Sequence, residues 1–224
     1  MWRNSTGDHR CRTTVPRTSV TAPEPAPPVT APDVAVLLFG GRRSPRPLRG
    51  LPVVGLDDVV SCRRAIVVGS AADLATVLTR LLRADRLDVE VGHVRRPWNA
   101  RRARSGKARR VPLIRDESGT VIVGAAHWLP PNDQTRTIHG EAVTDDTLLF
   151  DGDVTGVRIE PTATLPGLRA SVLSPRMRPK RWVTGRAAQL GADAALVVRD
   201  GVPAPRPVRR STLYRHTEGW LQVR

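Results

Sequence analysis

Two uninterrupted apolar runs, each stopped by glycine, stand ahead of one strongly amphipathic segment, and this order constrains the fold more than any other feature of the chain. Val34–Phe39 ends at Gly40 and Gly41, and Ala65–Val68 ends at Gly69. A strand that is apolar on both faces has to be buried on both, as happens in a parallel sheet covered by helices. Directly after the second run, Leu74, Val77, Leu78, Leu81 and Leu82 fall on one face of a 3.6-residue period. Ser70 supplies an N-cap for that helix, and Asp73 three residues later approximates a capping box. Leu87–Val91 then alternates as a half-buried strand. Strand, helix, strand in this order predicts a parallel βαβ unit. The stretch between the two apolar runs, residues 42–55, carries Pro45, Pro47 and Pro52 and reads as a loop.

Beyond residue 110 the pattern changes to short strands separated by turn residues. Val111–Ile114 and Thr120–Val123 flank Asp116-Glu-Ser-Gly119, a hairpin-type turn. Asp151-Gly152, between Thr147–Phe150 and Val154–Ile159, is the strongest short hairpin signal. Ala194–Val198 runs into a further turn at Asp200-Gly201. The predicted fold class is therefore α/β followed by mostly antiparallel β. A small βαβ core spans residues 33–110 and a β-rich half spans 111–224. Residues 1–32, rich in Pro, Thr, Ser and Arg, offer too little apolar surface to offset the entropy of ordering and read as a disordered tail.

Lysine plus arginine number 36 against 21 acids, for a formal net charge of +15. Lys107 and Lys180 are the only lysines. An arginine bias with abundant Ala, Val, Gly and Pro is also what a GC-rich coding sequence produces, so net charge alone is a poor guide to partners. It still favours phosphates and anionic surfaces. Cys11 and Cys62 make no disulfide framework, which points to a reducing compartment. With no signal-peptide pattern and no apolar run long enough to span a bilayer, the expected location is the cytoplasm.

Where that charge sits is more informative. Arg95, Arg96, Arg101, Arg102, Arg104, Lys107, Arg109 and Arg110 fall within sixteen residues that contain no acid, with Trp98 among them. Guanidinium groups fork onto phosphate oxygens and an indole stacks on a base. This combination suits a nucleotide, an anionic lipid headgroup or nucleic acid; a solvated charged loop is the plain alternative. Gly69, Ser70 and Asp73 join a buried strand to a helix start, where free N–H groups and the helix dipole favour an anion. A well-capped turn explains the same residues without a ligand. Residues 141–160 are the acidic counterweight: Glu141, Asp145, Asp146, Asp151, Asp153 and Glu160 against Arg158 alone. Carboxylates of this kind can hold magnesium, but the spacing matches no metal loop and no metal site is assigned. His93, His127, His139 and His216 are scattered. No His-Glu-x-x-His helix, Gly-x-Ser-x-Gly elbow, Walker-type phosphate loop or Cys-x-x-Cys pair occurs, and nothing names a cofactor.

Val67-Val-Gly-Ser-Ala-Ala-Asp-Leu74 and Val198-Arg-Asp-Gly-Val-Pro203 together resemble the diacylglycerol kinase-like lipid kinases, which are related to NAD kinases. The resemblance implies an α/β domain with a glycine-rich strand-to-helix turn, followed by a β-sandwich domain with a late Asp-Gly-Glu. Gly69 would then match the first glycine of the Gly-Gly-Asp-Gly-Thr turn, and Asp200 the late aspartate. Ser70, Ala71 and Ala72 replace the residues that cradle nucleotide phosphates in the family. Val202 stands where the family has an acid that helps activate the substrate hydroxyl. These departures imply a degenerate relative, since phosphoryl transfer depends on positioning and charge neutralisation by such groups.

The sequence therefore leads to a non-catalytic or degenerate binding protein for a phosphate-bearing ligand, with Gly69, Ser70, Asp73, Arg95, Arg96, Trp98, Arg101 and Arg102 as its ligand-binding residues. The alternatives are a magnesium-dependent lipid kinase-like enzyme using the acids of 141–160, and a protein–protein scaffold.

Overall fold

The computed structural model describes residues 32–224. The tail expected over 1–32 lies, apart from Pro32, outside the described residues. Along the chain come β1 (Val34–Leu38), β2 (Arg64–Val68), α1 (Ala71–Arg83), β3 (Glu90–Val94), α2 (Ala100–Ser105) and β4 (Ala108–Val111). Then follow β5 (Ile114–Asp116), β6 (Val121–Ile122), β7 (Ala126–Leu129), β8 (Ile138–Thr144), β9 (Thr147–Val154) and β10 (Val157–Pro161). The last six are β11 (Leu168–Val172), β12 (Val183–Gly185), β13 (Ala187–Arg199), β14 (Val202–Pro203), β15 (Val208–Arg215) and β16 (Trp220–Val223).

The first sheet has the order β1-β2-β3-β16-β4. Its first four strands are parallel neighbours and β4 runs antiparallel to β16. The predicted βαβ unit is present as β2-α1-β3, and both apolar runs are buried on both faces for a visible reason. Ala65 and Val67 of β2 pack with Leu74, Val77, Leu78 and Leu81 of α1. Ile66 and Val68 pack on the other side with Leu48 and with Ala100 and Ala103 of α2. Burying each such Leu, Val or Ile side chain contributes about 1.5–3 kcal/mol. Gly92 lets α2 lie directly on β3, since a Cβ there would meet the Ala103 carbonyl oxygen at 2.9 Å.

The remaining strands form a large antiparallel system in which β13 serves two sheets. The first half of β13 pairs with β8 and β15, and its second half pairs with β7 and β14. The register shifts between Gly191 and Ala195, where the strand passes from one sheet to the other. Both sheets close on one core that includes Trp128, Ile138, Phe150, Ile159, Leu168 and Leu213. Trp128 is fully buried and its indole N–H donates to Ser211 Oγ at 3.1 Å. The α/β-then-antiparallel-β class expected from the sequence is the observed architecture.

Three local expectations change. The strand expected at Leu87–Val91 begins at Glu90 instead, because the chain first turns through Asp85, which has φ +55°, and an Arg86–Asp88 ion pair. Asp151-Gly152 is not a turn: it lies inside β9, with Gly152 opposite Gly140 and Asp151 opposite Glu141. The β8–β9 turn is at Asp145-Asp146, where the Asp145 carboxylate accepts the backbone N–H groups of Arg186 and Ala187 and so ties the turn to β13. Last, β16 returns the C-terminal residues to the first sheet, between β3 and β4, although they were expected with the β-rich half.

Candidate functional site: an arginine-lined crevice

Three parallel strands, β1, β2 and β3, deliver their carboxyl ends to one rim of the first sheet. Open α/β sheets bind ligands at this end because the strand-to-helix loops gather there. Gly40 and Gly41 follow β1, both with positive φ, at +62° and +66°. They turn the chain so that Arg42 reaches across the rim, where its guanidinium donates to the Arg95 carbonyl at 3.3 Å. Gly69 and Ser70 follow β2, and Arg95 and Arg96 follow β3. Together with Trp98 and Asn99 these residues line a crevice of about 500 Å³. None of its lining side chains is acidic.

Trp98 is 70% exposed, unusual for the largest side chain in the repertoire. The Arg96 guanidinium lies 5.2 Å from the centroid of its ring, so cation and aromatic face are presented together. Arg101 and Arg102 are exposed on α2 and lie outside the crevice lining. What holds α2 in place is Arg64, only 8% exposed at the edge of β2. It pairs with Glu90 at 2.6 Å and donates to the Arg104 and Gly106 carbonyls at 2.5 and 3.1 Å, closing off the end of the helix.

The start of α1 is built as the capping-box pattern predicts. Ser70 Oγ accepts the Asp73 N–H at 3.2 Å, and the Asp73 carboxylate accepts the Ser70 N–H at 2.7 Å and its hydroxyl at 2.8 Å. Asp73 therefore spends its carboxylate on its own helix end, packed so tightly over Gly69 that a Cβ there would sit 2.5 Å from Asp73 Oδ2. Negative charge already occupies the place where a helix dipole favours an anion. His93 supports the turn from below, its Nε2–H shared between the carbonyls of Gly69 and Ser70 at 3.2 and 3.1 Å. Burial above all, with the Arg95 charge adding to it, holds this imidazole below its ordinary pKa. Of the residues named from sequence, then, Gly69, Ser70, Arg95, Arg96 and Trp98 converge. Asp73 acts as a cap, and Arg101 and Arg102 stand outside. Arg42, Asn99 and His93 were missed; only the Gly40-Gly41 stop followed directly by Arg42 signals any of them.

Asp200 has a structural task. At φ +49° it forms, with Gly201, the β13–β14 turn, and its carboxylate accepts the N–H groups of Val123, Gly124 and Ala125 at 2.9, 2.5 and 3.0 Å. Gly124 sits between this carboxylate and α1: a Cβ there would lie 2.9 Å from Asp200 Oδ1 and 3.5 Å from Ala71 Cβ. A second cavity, about 390 Å³, lies along α1 and takes Ala72, Thr76, Asp200 and Val202 into its walls.

The acids of 141–160 converge on no single pocket: Glu141, Asp151 and Asp153 stand with His139 on one exposed face of the β8–β9 ladder, and the others lie elsewhere. Asp145 is bound to backbone, Glu160 pairs with Arg158 and Arg169, and Asp153 lies 3.5 Å from His139 on an exposed face. Among the described residues no three His, Cys, Asp or Glu side chains are grouped to hold a metal ion, and no helix is long and apolar enough to cross a membrane.

No protein-family model and no curated protein matches the chain. Solved structures do. An NAD kinase from Archaeoglobus fulgidus in complex with ATP matches with a TM-score of 0.59 over 85% of this chain and 93% of that one, at 12% identity. A putative diacylglycerol kinase from Bacillus anthracis str. Sterne matches with a TM-score of 0.64 over 86% and 96%, at 9% identity. The chain has the fold shared by NAD kinases and diacylglycerol kinases. Yeast NADH kinase complexed with NADH, at a TM-score of 0.50 and 9% identity over 77% of this chain and 66% of that one, extends the set. At such identities the likeness speaks to the fold. It bears out the kinase-like architecture that the resemblance of Val67–Leu74 and Val198–Pro203 implied.

Proposed function

We propose that this chain binds a phosphate-bearing ligand, a nucleotide or an anionic headgroup, in the arginine-lined crevice and does not transfer a phosphoryl group. The observation that carries the reading is the convergence of Arg42, Arg95, Arg96 and an exposed Trp98 on one crevice that no acid lines. Guanidinium forks supply charge-assisted hydrogen bonds to phosphate oxygens, and the indole offers a face to a planar group. The non-catalytic half of the reading is supported by Ala71 and Ala72, which bring no polar side chain to the strand-to-helix turn, and by Val202, which brings no base to the late turn. The acids of 141–160, on which the magnesium-dependent alternative relied, form no grouping of three metal-ligating side chains among the described residues, which also favours the non-catalytic reading.

Isothermal titration at low salt with ATP, NAD and glycerol 3-phosphate tests the proposal. Binding of at least one, lost or weakened at least tenfold in Arg95→Ala/Arg96→Ala, is the expected result. No heat with any of the three, or equal affinity in the double variant, overturns it. Turnover of ATP in the presence of magnesium, abolished by the same variant, overturns the non-catalytic half.

A further inference from the structure

Folding brings two arginine-rich, acid-free segments onto one face of this molecule. Arg42, Arg43, Arg46 and Arg49 lie on the loop after β1, and Arg95, Arg96, Arg101, Arg102 and Arg104 lie between β3 and the end of α2. The two segments are far apart in sequence but adjacent in space. Leu48, Ala100 and Ala103 share one buried cluster, the Arg104 guanidinium donates to the Pro47 carbonyl at 2.7 Å, and Arg42 donates to the Arg95 carbonyl. All nine arginines are exposed, residues 42–49 and 95–104 contain no acid, and none of the nine pairs with an acid among the described residues. Elsewhere Arg63, Arg64, Arg80, Arg86, Arg110, Arg158, Arg169 and Arg199 have carboxylate partners, and further exposed arginines without one, such as Arg178, Arg206 and Arg210, stand on the β-rich half. A coding bias sets how many arginines a chain has; it does not bring two acid-free segments and an exposed Trp98 together on one face.

Nine unpaired guanidinium groups exceed what one mononucleotide can neutralise, so the face suits a polyanion. The apolar side of α2, Ala100 and Ala103, is buried against the sheet, which leaves Trp98 as the sole large apolar side chain exposed within these two segments. A bilayer-binding helix keeps a broad apolar face free for insertion; here that face is spent on the core. A single aromatic platform within a row of cations is instead the arrangement that binds single strands, phosphates along the cations and a base on the ring.

We infer that this face docks single-stranded nucleic acid, with one base stacked on Trp98 and the backbone crossing the arginines of the 42–49 loop and α2. Resting on the crevice reading only where the two share Arg42, Arg95, Arg96 and Trp98, the strand is tested at arginines outside the crevice. Fluorescence anisotropy of a labelled twelve-nucleotide single strand should show binding whose log K falls with log salt at a slope of about −3.5 or steeper, as five or more neutralised phosphates require. Arg46→Gln/Arg49→Gln/Arg101→Gln/Arg102→Gln should flatten that slope by about 3, so that its affinity falls about fiftyfold less than the parent's between 50 and 200 mM salt, and should weaken binding at least twentyfold at 50 mM. The same variant should bind ATP as the parent does. Trp98→Ala should weaken the strand without changing the slope. An unchanged slope in the quadruple variant, absence of strand binding in the parent, or preference for phosphatidylserine vesicles over the strand each overturns the inference. Absence of ATP binding with intact strand binding removes the crevice reading instead.

Discussion

Substituting Asp73 separates two roles that ordinarily fall together, because it should make the protein less stable and its crevice more receptive. In the folded chain this carboxylate accepts two hydrogen bonds from Ser70, at 2.7 and 2.8 Å, and sits at the positive end of α1. Asp73→Asn keeps one carbonyl oxygen to accept the Ser70 N–H but loses the charge–dipole attraction and part of the capping box. Those contributions are worth about 0.3–1 and about 0.5–2 kcal/mol, so a net loss of about 1 kcal/mol is expected, measured as a lower urea midpoint at constant m. Ser70 also lines the crevice, so a phosphate bound near it lies on the order of 6 Å from the carboxylate. At an effective dielectric of roughly 60, the repulsion removed is about 1 kcal/mol per phosphate charge, or about fivefold in affinity. ATP titration at low salt should show that gain, and it should shrink at 0.5 M salt as screening sets in. Asp193→Asn, an exposed acid remote in sequence from the crevice segments, is the control and should change neither quantity. Ordinary loosening of the turn lowers stability and affinity together. Weaker or unchanged ATP binding in Asp73→Asn would therefore refute the assignment of Asp73 as an internal stand-in for the ligand anion.

Asp200→Ala removes three charge-assisted acceptors and places alanine at φ +49°; with Gly124 exposed and open to water, the expected loss is about 2–4 kcal/mol in chemical denaturation, and a loss under 0.5 kcal/mol contradicts the structural role given to this turn. Gly92→Ala drives a methyl group to 2.9 Å from the Ala103 carbonyl and should cost about 1–3 kcal/mol while displacing the α2 arginines; unchanged stability together with unchanged strand binding counts against the close β3–α2 contact. Burial holds His93, His127 and His216 below the ordinary imidazole value of 6.5. The unfolded chain thus binds more protons than the folded one once pH drops below that value, so stability is fully present above it and is lost as pH falls towards 5. His93→Gln, which can still donate to the Gly69 and Ser70 carbonyls, should flatten part of that slope in denaturation midpoints measured from pH 7.5 to 5; a profile unchanged in this variant contradicts the neutral state assigned to His93.

Features read from local periodicity survived folding, and features that depended on distant partners did not. The β2-α1-β3 unit was legible because its burial pattern and its cap are written within the contiguous stretch from Arg64 to Val94. The Asp200-Gly201 turn was legible for the same reason, since both residues take the positive φ that a two-residue hairpin demands. Asp151-Gly152 carries an equally good local signal and yet lies within β9, because its partner residues on β8 continue the ladder past it to Asp145. No window around residue 151 contains that information. The return of β16 to the first sheet is invisible for the same reason: Trp220 and Val223 are buried by β3 and β4, which lie more than a hundred residues earlier. The crevice falls between these cases. Arg95, Arg96 and Trp98 announced themselves as a charge run, whereas Arg42 joins them only because Gly40 and Gly41 fold the β1 loop back over the rim.

The residues that replace the glycine-rich pattern at the turn, Ser70, Ala71 and Ala72, have one physical consequence. At a strand-to-helix turn, anions are ordinarily held by backbone N–H groups and the helix dipole, an array whose geometry is fixed by the fold. Here Ala71 and Ala72 contribute no side-chain donors, and the N–H groups of Ser70 and Asp73 are taken by the capping box, so part of the backbone array is spent internally and a carboxylate stands beside what remains. The charge that a phosphate needs is supplied instead by long guanidinium side chains arriving from the β1 and β3 loops. Side chains of that kind tolerate many anion geometries and act through exposed, screenable charge. Recognition built this way is broad and steeply salt-dependent. A site of that character suits a ligand that is held and released, and suits a row of phosphates better than a single γ-phosphoryl group aligned for transfer.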